Sequence, residues 1–336
     1  MTARTTAAPR LTLVLVTAAL AGVLIGLALT ATRTLPGLAE PAAVVRYGIP
    51  IVRVLLDMAA VATVGLTILP LLIGSDRPKL TEGVLRGTRR VAVASSLAWG
   101  ITALVALVLQ TAELRLSESV TLGAIWDYVR TISAGKALVA VFVLAMLNAG
   151  LSVWAVRAGD SVPAELRAAA ALFTLLPLPV TGHATNWSWQ DVTMVSMELH
   201  VLAAVAWTGG LGAVVVLLAT NRTLLAHALP RFSTLAALCL VVSVATGLFN
   251  GVAELMAKPG GDLWHDLFAT GYGILVLLKV SCVTLLALLG ANIRWRLLPG
   301  ILRHHRTALA GWAALELSIM GLAFGFAVVL TRTAVA

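Results

Sequence analysis

TMVSMELHVLAAVAWTGGLGAVVVLLA, residues 193–219, reads as one uninterrupted apolar helix carrying a single carboxylate, Glu198, and a single imidazole, His200. Crossing a ~30 Å hydrocarbon core takes about 20 consecutive apolar residues, and this stretch exceeds that length. The same signal recurs at about 11–31, 48–73, 91–110, 135–156 and 166–182 before it, and at 233–256, 271–293 and 308–331 after it. The 336 residues are 60% hydrophobic and 12% charged, with a mean hydropathy of +0.97, whereas a water-soluble domain carries roughly twice that charged share. Lipid offers no partner to a free backbone N–H or C=O, and the runs are too long and too uniformly apolar for barrel strands, so each run is expected to be a helix. The expected fold class is all-α: a polytopic transmembrane helical bundle of about nine spans. A five-span region over 1–182 and a four-span region over 183–336 are expected to form one integrated membrane domain.

The net charge of +9 does not point to nucleic acid, because the 24 Lys and Arg lie in short segments between apolar runs and form no continuous basic face. They report topology instead. With the N-terminus inside, fifteen of the cations fall on cytoplasmic segments and six on the other side; Arg53, Lys136 and Lys279 lie within or at the edge of spans. An N-terminus in the cytoplasm and a C-terminus outside it follow as the expectation, in a bacterial cytoplasmic (inner) membrane whose lipid bilayer is the principal partner. The first run, preceded by Arg4 and Arg10, exceeds the usual 7–15-residue apolar region of a signal peptide and reads as a retained span. Cys239 and Cys282 each lie inside an apolar run and belong to no CxxC pair, so no disulfide framework is expected.

Ionisable groups are expensive inside a bilayer and carry most of the functional information in such a chain. Arg53 and Asp57 are four apart on one helical face and can neutralise each other. Lys279 and Glu316, on different helices, are candidates for an interhelical pair or for contact with a moving ion; with Glu198 and Asp57 they are the expected ion or proton relay. The richest ligand set is in the sixth span, where Met194, Met197 and His200 are spaced three apart and drift around one face. Thioether and imidazole together suit soft Cu(I). His183 closes the fifth span on the same side of the membrane, across a loop whose Trp187 and Trp189 suit the interface, so the two imidazoles are expected to meet at the outer mouth. Gly209, Gly210 and Gly212 suit close helix packing. His304 and His305 fall among cytoplasmic cations, and His265 with Asp262 and Asp266 reads as a solvated outer loop. The sequence holds no nucleophile motif, no phosphate-binding glycine loop and no HExxH, so neither an enzyme nor an ATP-driven pump is expected.

Several of these residues stand in an order that resembles the copper resistance D (CopD) family of bacterial inner-membrane proteins. The resemblance rests on His200 through Trp207 to Gly209-Gly210, then Arg231-Phe232-Ser233, Thr246-Gly247, Thr270 with Tyr272-Gly273, Lys279, and Asn292 with Arg294 and Pro299. These cover about residues 182–299; the earlier spans resemble the family in helix count and in Gly182-His183-Ala184. The resemblance implies a copper-handling membrane protein, often working beside a periplasmic copper-binding CopC-like partner, that moves copper toward the cytoplasm or cuproenzyme assembly. It places the family's histidines on His200 and His183. Two other classes stay open: a b-type cytochrome or quinone-linked oxidoreductase with histidine-ligated haem, and a copper-binding assembly or sensor subunit that transports nothing.

Overall fold

The computed structural model describes residues 7–30, 42–74, 78–115, 119–181, 190–256, 262–297 and 309–333. Among them there is no strand, and nine helices are long and apolar enough to cross a membrane. In chain order the α-helices are α1 (Ala7–Leu29), α2 (Ala43–Ile73), α3 (Pro78–Leu114), α4 (Leu122–Thr131), α5 (Ser133–Ala158), α6 (Ala164–Phe173), α7 (Gln190–Leu218), α8 (Arg222–Met256), α9 (Leu263–Ala269), α10 (Gly271–Asn292) and α11 (Leu309–Leu330). The all-α bundle expected from hydropathy is the fold.

Lipid tails are as apolar as leucine, so helices in a bilayer associate through close packing and polar contacts rather than through a hydrophobic drive. The centre of the bundle shows this. α2 and α7, the most buried of the spans, cross where Gly65 faces Gly209, and a Cβ on either residue would collide with the other helix's backbone. α3 lies along α2, α5 along α3, α8 along α7, and α11 along both α1 and α10. α8 and α10 are peripheral and present Leu238, Val241, Leu248, Val280, Leu285 and Leu288 outward, as lipid-facing surfaces must.

Elsewhere the structure goes past the hydropathy signal. α3 begins well before residue 91 because its first turns carry an amphipathic segment held by ion pairs: Arg89 is 3% exposed, donates to Glu82 at 3.1 Å and meets Asp160 at 2.5 Å. α8 likewise starts at Arg222 and runs through Pro230. Two short helices interrupt what read as loops. α4 is capped by Thr121, whose side chain accepts from the Ala124 amide, and α9 by Asp262, which accepts from the Trp264 amide. Asp266 of α9 is 2% exposed, which corrects the expectation of a solvated loop around it; His265 does face outward.

The fifth span departs most from an ideal helix. α6 stops at Phe173, and the chain continues through turns into a 3-10 segment at Leu178–Thr181. Pro177 and Pro179 deny it two backbone donors. The break is supported from α5, where buried Asn148 donates to the Thr174 hydroxyl at 2.7 Å and to the Leu144 carbonyl at 2.9 Å. Irregular backbone at membrane depth is tolerated where it is buried in protein or lines a cavity, and this segment lines one.

Candidate functional site

A cavity of about 240 Å³ opens among α2, the 3-10 segment of the fifth span, α7, α8, α10 and α11. Its polar wall is made by Arg53, Asp57, His200, Ser243, Glu254 and Lys279. Glu254 belongs to the last turn of α8 and Tyr272 to the first turn of α10, so the cavity reaches the end of the bundle where α2, α7 and α10 begin. His200 lies ten residues into α7 and Lys279 eight into α10, which at ~1.5 Å per residue puts both roughly 12–15 Å below that end.

The imidazole of His200 is held from behind. Its Nδ1 is 3.0 Å from the Thr246 hydroxyl on α8, and that hydroxyl donates its own proton to the Val242 carbonyl at 2.6 Å. A hydroxyl has one proton, so Thr246 acts as the acceptor and His200 carries its hydrogen on Nδ1. Nε2 is left with a lone pair on the far side of the ring, the arrangement by which outer partners prepare a histidine for a metal. Gly247 completes the seat: a Cβ there would stand 3.0 Å from the imidazole Cε1, so a side chain would push the ring out of place.

Two sulfurs share the cavity wall with this ring: Met197, one turn above His200 on α7, and Met320 on α11. Met197 Sδ is also 4.0 Å from Asn250 Nδ2. Met320 is ten residues from the end of α11, hence at about the depth of His200. Sequence reading singled out Met197 and passed over Met320, since no spacing relates residues on helices more than a hundred positions apart. Among the described residues no group of three or more His, Cys, Asp or Glu could hold a metal ion, so a metal in this cavity would depend on thioether sulfur.

Opposite His200, Arg53 pairs with Asp57, Nε to Oδ1 at 3.3 Å, and donates to the Thr181 hydroxyl. The expected i,i+4 pair is present, and Arg53 also ties α2 to the broken fifth span. Lys279 and Glu316 do not pair. Glu316 lies fourteen residues from the cavity end of α11 against eight for Lys279 on α10, too deep to meet it, and its carboxylate is buried near Gly290. Buried Ser243 Oγ and Asn250 Oδ1 have no hydrogen-bond partner among the described residues.

The other expected residues fall as follows. Met194 and Glu198 are half-buried on α7 but do not line the cavity; a three-residue step turns a helix about 60° short of a full circle, so Met194 has drifted off the face of Met197 and His200, and Glu198 is a further 100° round from Met197. His183, Trp187, Trp189, His304 and His305 lie outside the described residues. His183 follows Thr181 by two positions in the sequence. Other quoted positions do structural work at the opposite end: the Arg231 guanidinium donates to the Leu72 carbonyl at 3.5 Å, Phe232 fills the space over Gly210, and Arg294 reaches Ser233 at 3.4 Å.

Fold and site define a multi-pass membrane protein built around a largely apolar cavity with nitrogen and sulfur in its wall. The family model described as "Copper resistance protein D" matches residues 226–330, and that described as "Copper resistance protein D-like, N-terminal domain" matches residues 42–191. The chain belongs to the copper resistance D family. The second to fifth spans therefore carry family likeness beyond the helix count and the Gly182-His183-Ala184 stretch. The chain is also 28% identical over 237 residues to a protein of Bacillus subtilis (strain 168) named "Copper transport protein CutJ"; the match covers 63% of this chain and 40% of the relative. No solved structure matches the chain.

Proposed function

We propose that this protein is a copper permease of the bacterial cytoplasmic membrane, accepting Cu(I) from the extracytoplasmic side into the cavity and passing it toward the cytoplasm. The observation that carries the reading is the anchoring of His200: Thr246 occupies Nδ1, which leaves Nε2 free to bind, and His200 lines a cavity that also presents Met197 and Met320. One imidazole and thioether sulfur suit a soft monovalent ion and suit a hard one poorly. His183, which precedes α7 in the sequence, is the further ligand this reading calls for. The cation bias supports a position of this end of the bundle outside the cytoplasm, where a periplasmic copper-binding protein would deliver the metal. Asp57, Glu198 and Glu316 are the carboxylates through which a coupling ion or proton would pass.

Two measurements on the full-length protein in chloride-free buffer test this. Competition for Cu(I) against a chromophoric chelator is expected to show tight binding to the wild type, weaker binding to Met320→Leu, and loss of binding when His183 and His200 are both changed to alanine. Equal affinity in that double variant would remove the site. Proteoliposomes are expected to accumulate radioactive copper faster than empty vesicles; binding without uptake would make the protein a copper-holding assembly or sensor subunit. A Soret band in the purified protein would instead select the haem-ligating alternative.

A further inference from the structure

We propose that the cavity has a second subsite, for a small monovalent anion of the halide or carboxylate class, built on Lys279 beside His200. Lys279 projects from α10 two turns below the cavity end, is half-buried and forms part of the cavity wall. Its ammonium makes no hydrogen bond or ion pair with any described residue. The acidic groups of the cavity are committed elsewhere or set apart: Asp57 is engaged by Arg53 on the α2 wall, and Glu254 stands at the mouth, on the last turn of α8. Glu316, on the neighbouring α11, is too deep to serve.

A lone ammonium in a lined, low-dielectric space is costly unless something compensates its charge. The cost matters doubly because Lys279 shares the cavity wall with His200 at a similar depth and opposes positive charge there. A monovalent metal at His200 Nε2 would meet that opposition directly. An anion between Lys279 and the metal position cancels the opposition and satisfies the ammonium. The volume of about 240 Å³ has room for a metal ion together with a halide or an acetate. The subsite itself is independent of the metal; the corollary that copper occupies the cavity with an anion at its side rests on the copper reading.

Chloride is the probe, observed by the line width of its ³⁵Cl NMR signal with the full-length, copper-free protein in detergent. The wild type is expected to give saturable excess broadening that Lys279→Met abolishes and His200→Ala retains. Displacement by acetate would extend the site to carboxylates, and resistance to acetate would confine it to halides; either result supports the subsite. Absence of saturable broadening in the wild type overturns it, as does undiminished broadening in Lys279→Met. Thermal unfolding checks that the variants fold, and Lys279→Gln, neutral but still able to hydrogen-bond, replaces Lys279→Met if the latter does not. Copper binding in chloride-free buffer is a separate measurement, so the two readings fail separately.

Discussion

Among single residues, Thr246 and His200 form the smallest unit on which the metal chemistry depends. A valine at 246 keeps the shape and removes the acceptor, so the imidazole loses both its anchor and its fixed tautomer. Outer partners of metal-binding histidines are typically worth about 10–100-fold in affinity. Thr246→Val is therefore expected to weaken Cu(I) binding by about that factor with little change in thermal unfolding, measured by chelator competition beside calorimetry. An unchanged affinity would mean that His200 is oriented by something else. His200 and Met197 were legible in the sequence because they share one helix and a helix has a known pitch. Thr246 was visible only as part of a resemblance, and Met320 was not visible at all: what brings them to His200 is interhelical packing, which no local spacing encodes.

The helices themselves were the most legible feature, because twenty apolar residues in a row have few alternatives in a membrane. What hydropathy missed has a common cause. The first turns of α3, the short α4 and α9, and the early part of α8 mix charged with apolar residues, and their stability comes from caps and ion pairs that an averaged window dilutes. The broken fifth span was read as an ordinary crossing because its prolines sit in an apolar run. That break depends on α2, through the contact from Arg53 to Thr181, and the Arg53–Asp57 pair is largely shielded, with side chains 22% and 14% exposed. Removing one member of a buried pair leaves an uncompensated charge, typically at a cost of about 3–5 kcal/mol, whereas removing both with apolar replacements is often nearly neutral. Arg53→Met alone is thus expected to destabilise the protein by roughly 3 kcal/mol. The double change with Asp57→Leu should recover most of that loss, read from reversible unfolding in detergent. A double variant no better than the single one would show that Arg53 matters chiefly for Thr181.

For the molecule as a whole, the sequence predicts sidedness from the distribution of its cations. Both native cysteines are buried, which keeps the background of a labelling experiment low. A cysteine at Asp127 of α4, on the cavity end, is expected to react with an impermeant maleimide on intact spheroplasts. One at Arg86 of α3, whose side chain is 71% exposed at the other end, should react only after lysis. The reverse pattern would invert the bundle and, with it, the proposed direction of copper movement.

Where Gly65 meets Gly209, main chain rests on main chain with no flexible side-chain ends between them to yield. The two central rods are therefore locked like the fixed jaw of a vice, α11 is clamped in the same manner on α1 where Gly321 and Gly325 meet main chain, and the lipid-facing rods α8 and α10 are the least constrained. A change in the bore would have to be made on that less constrained side, with α7 keeping its distance from α2.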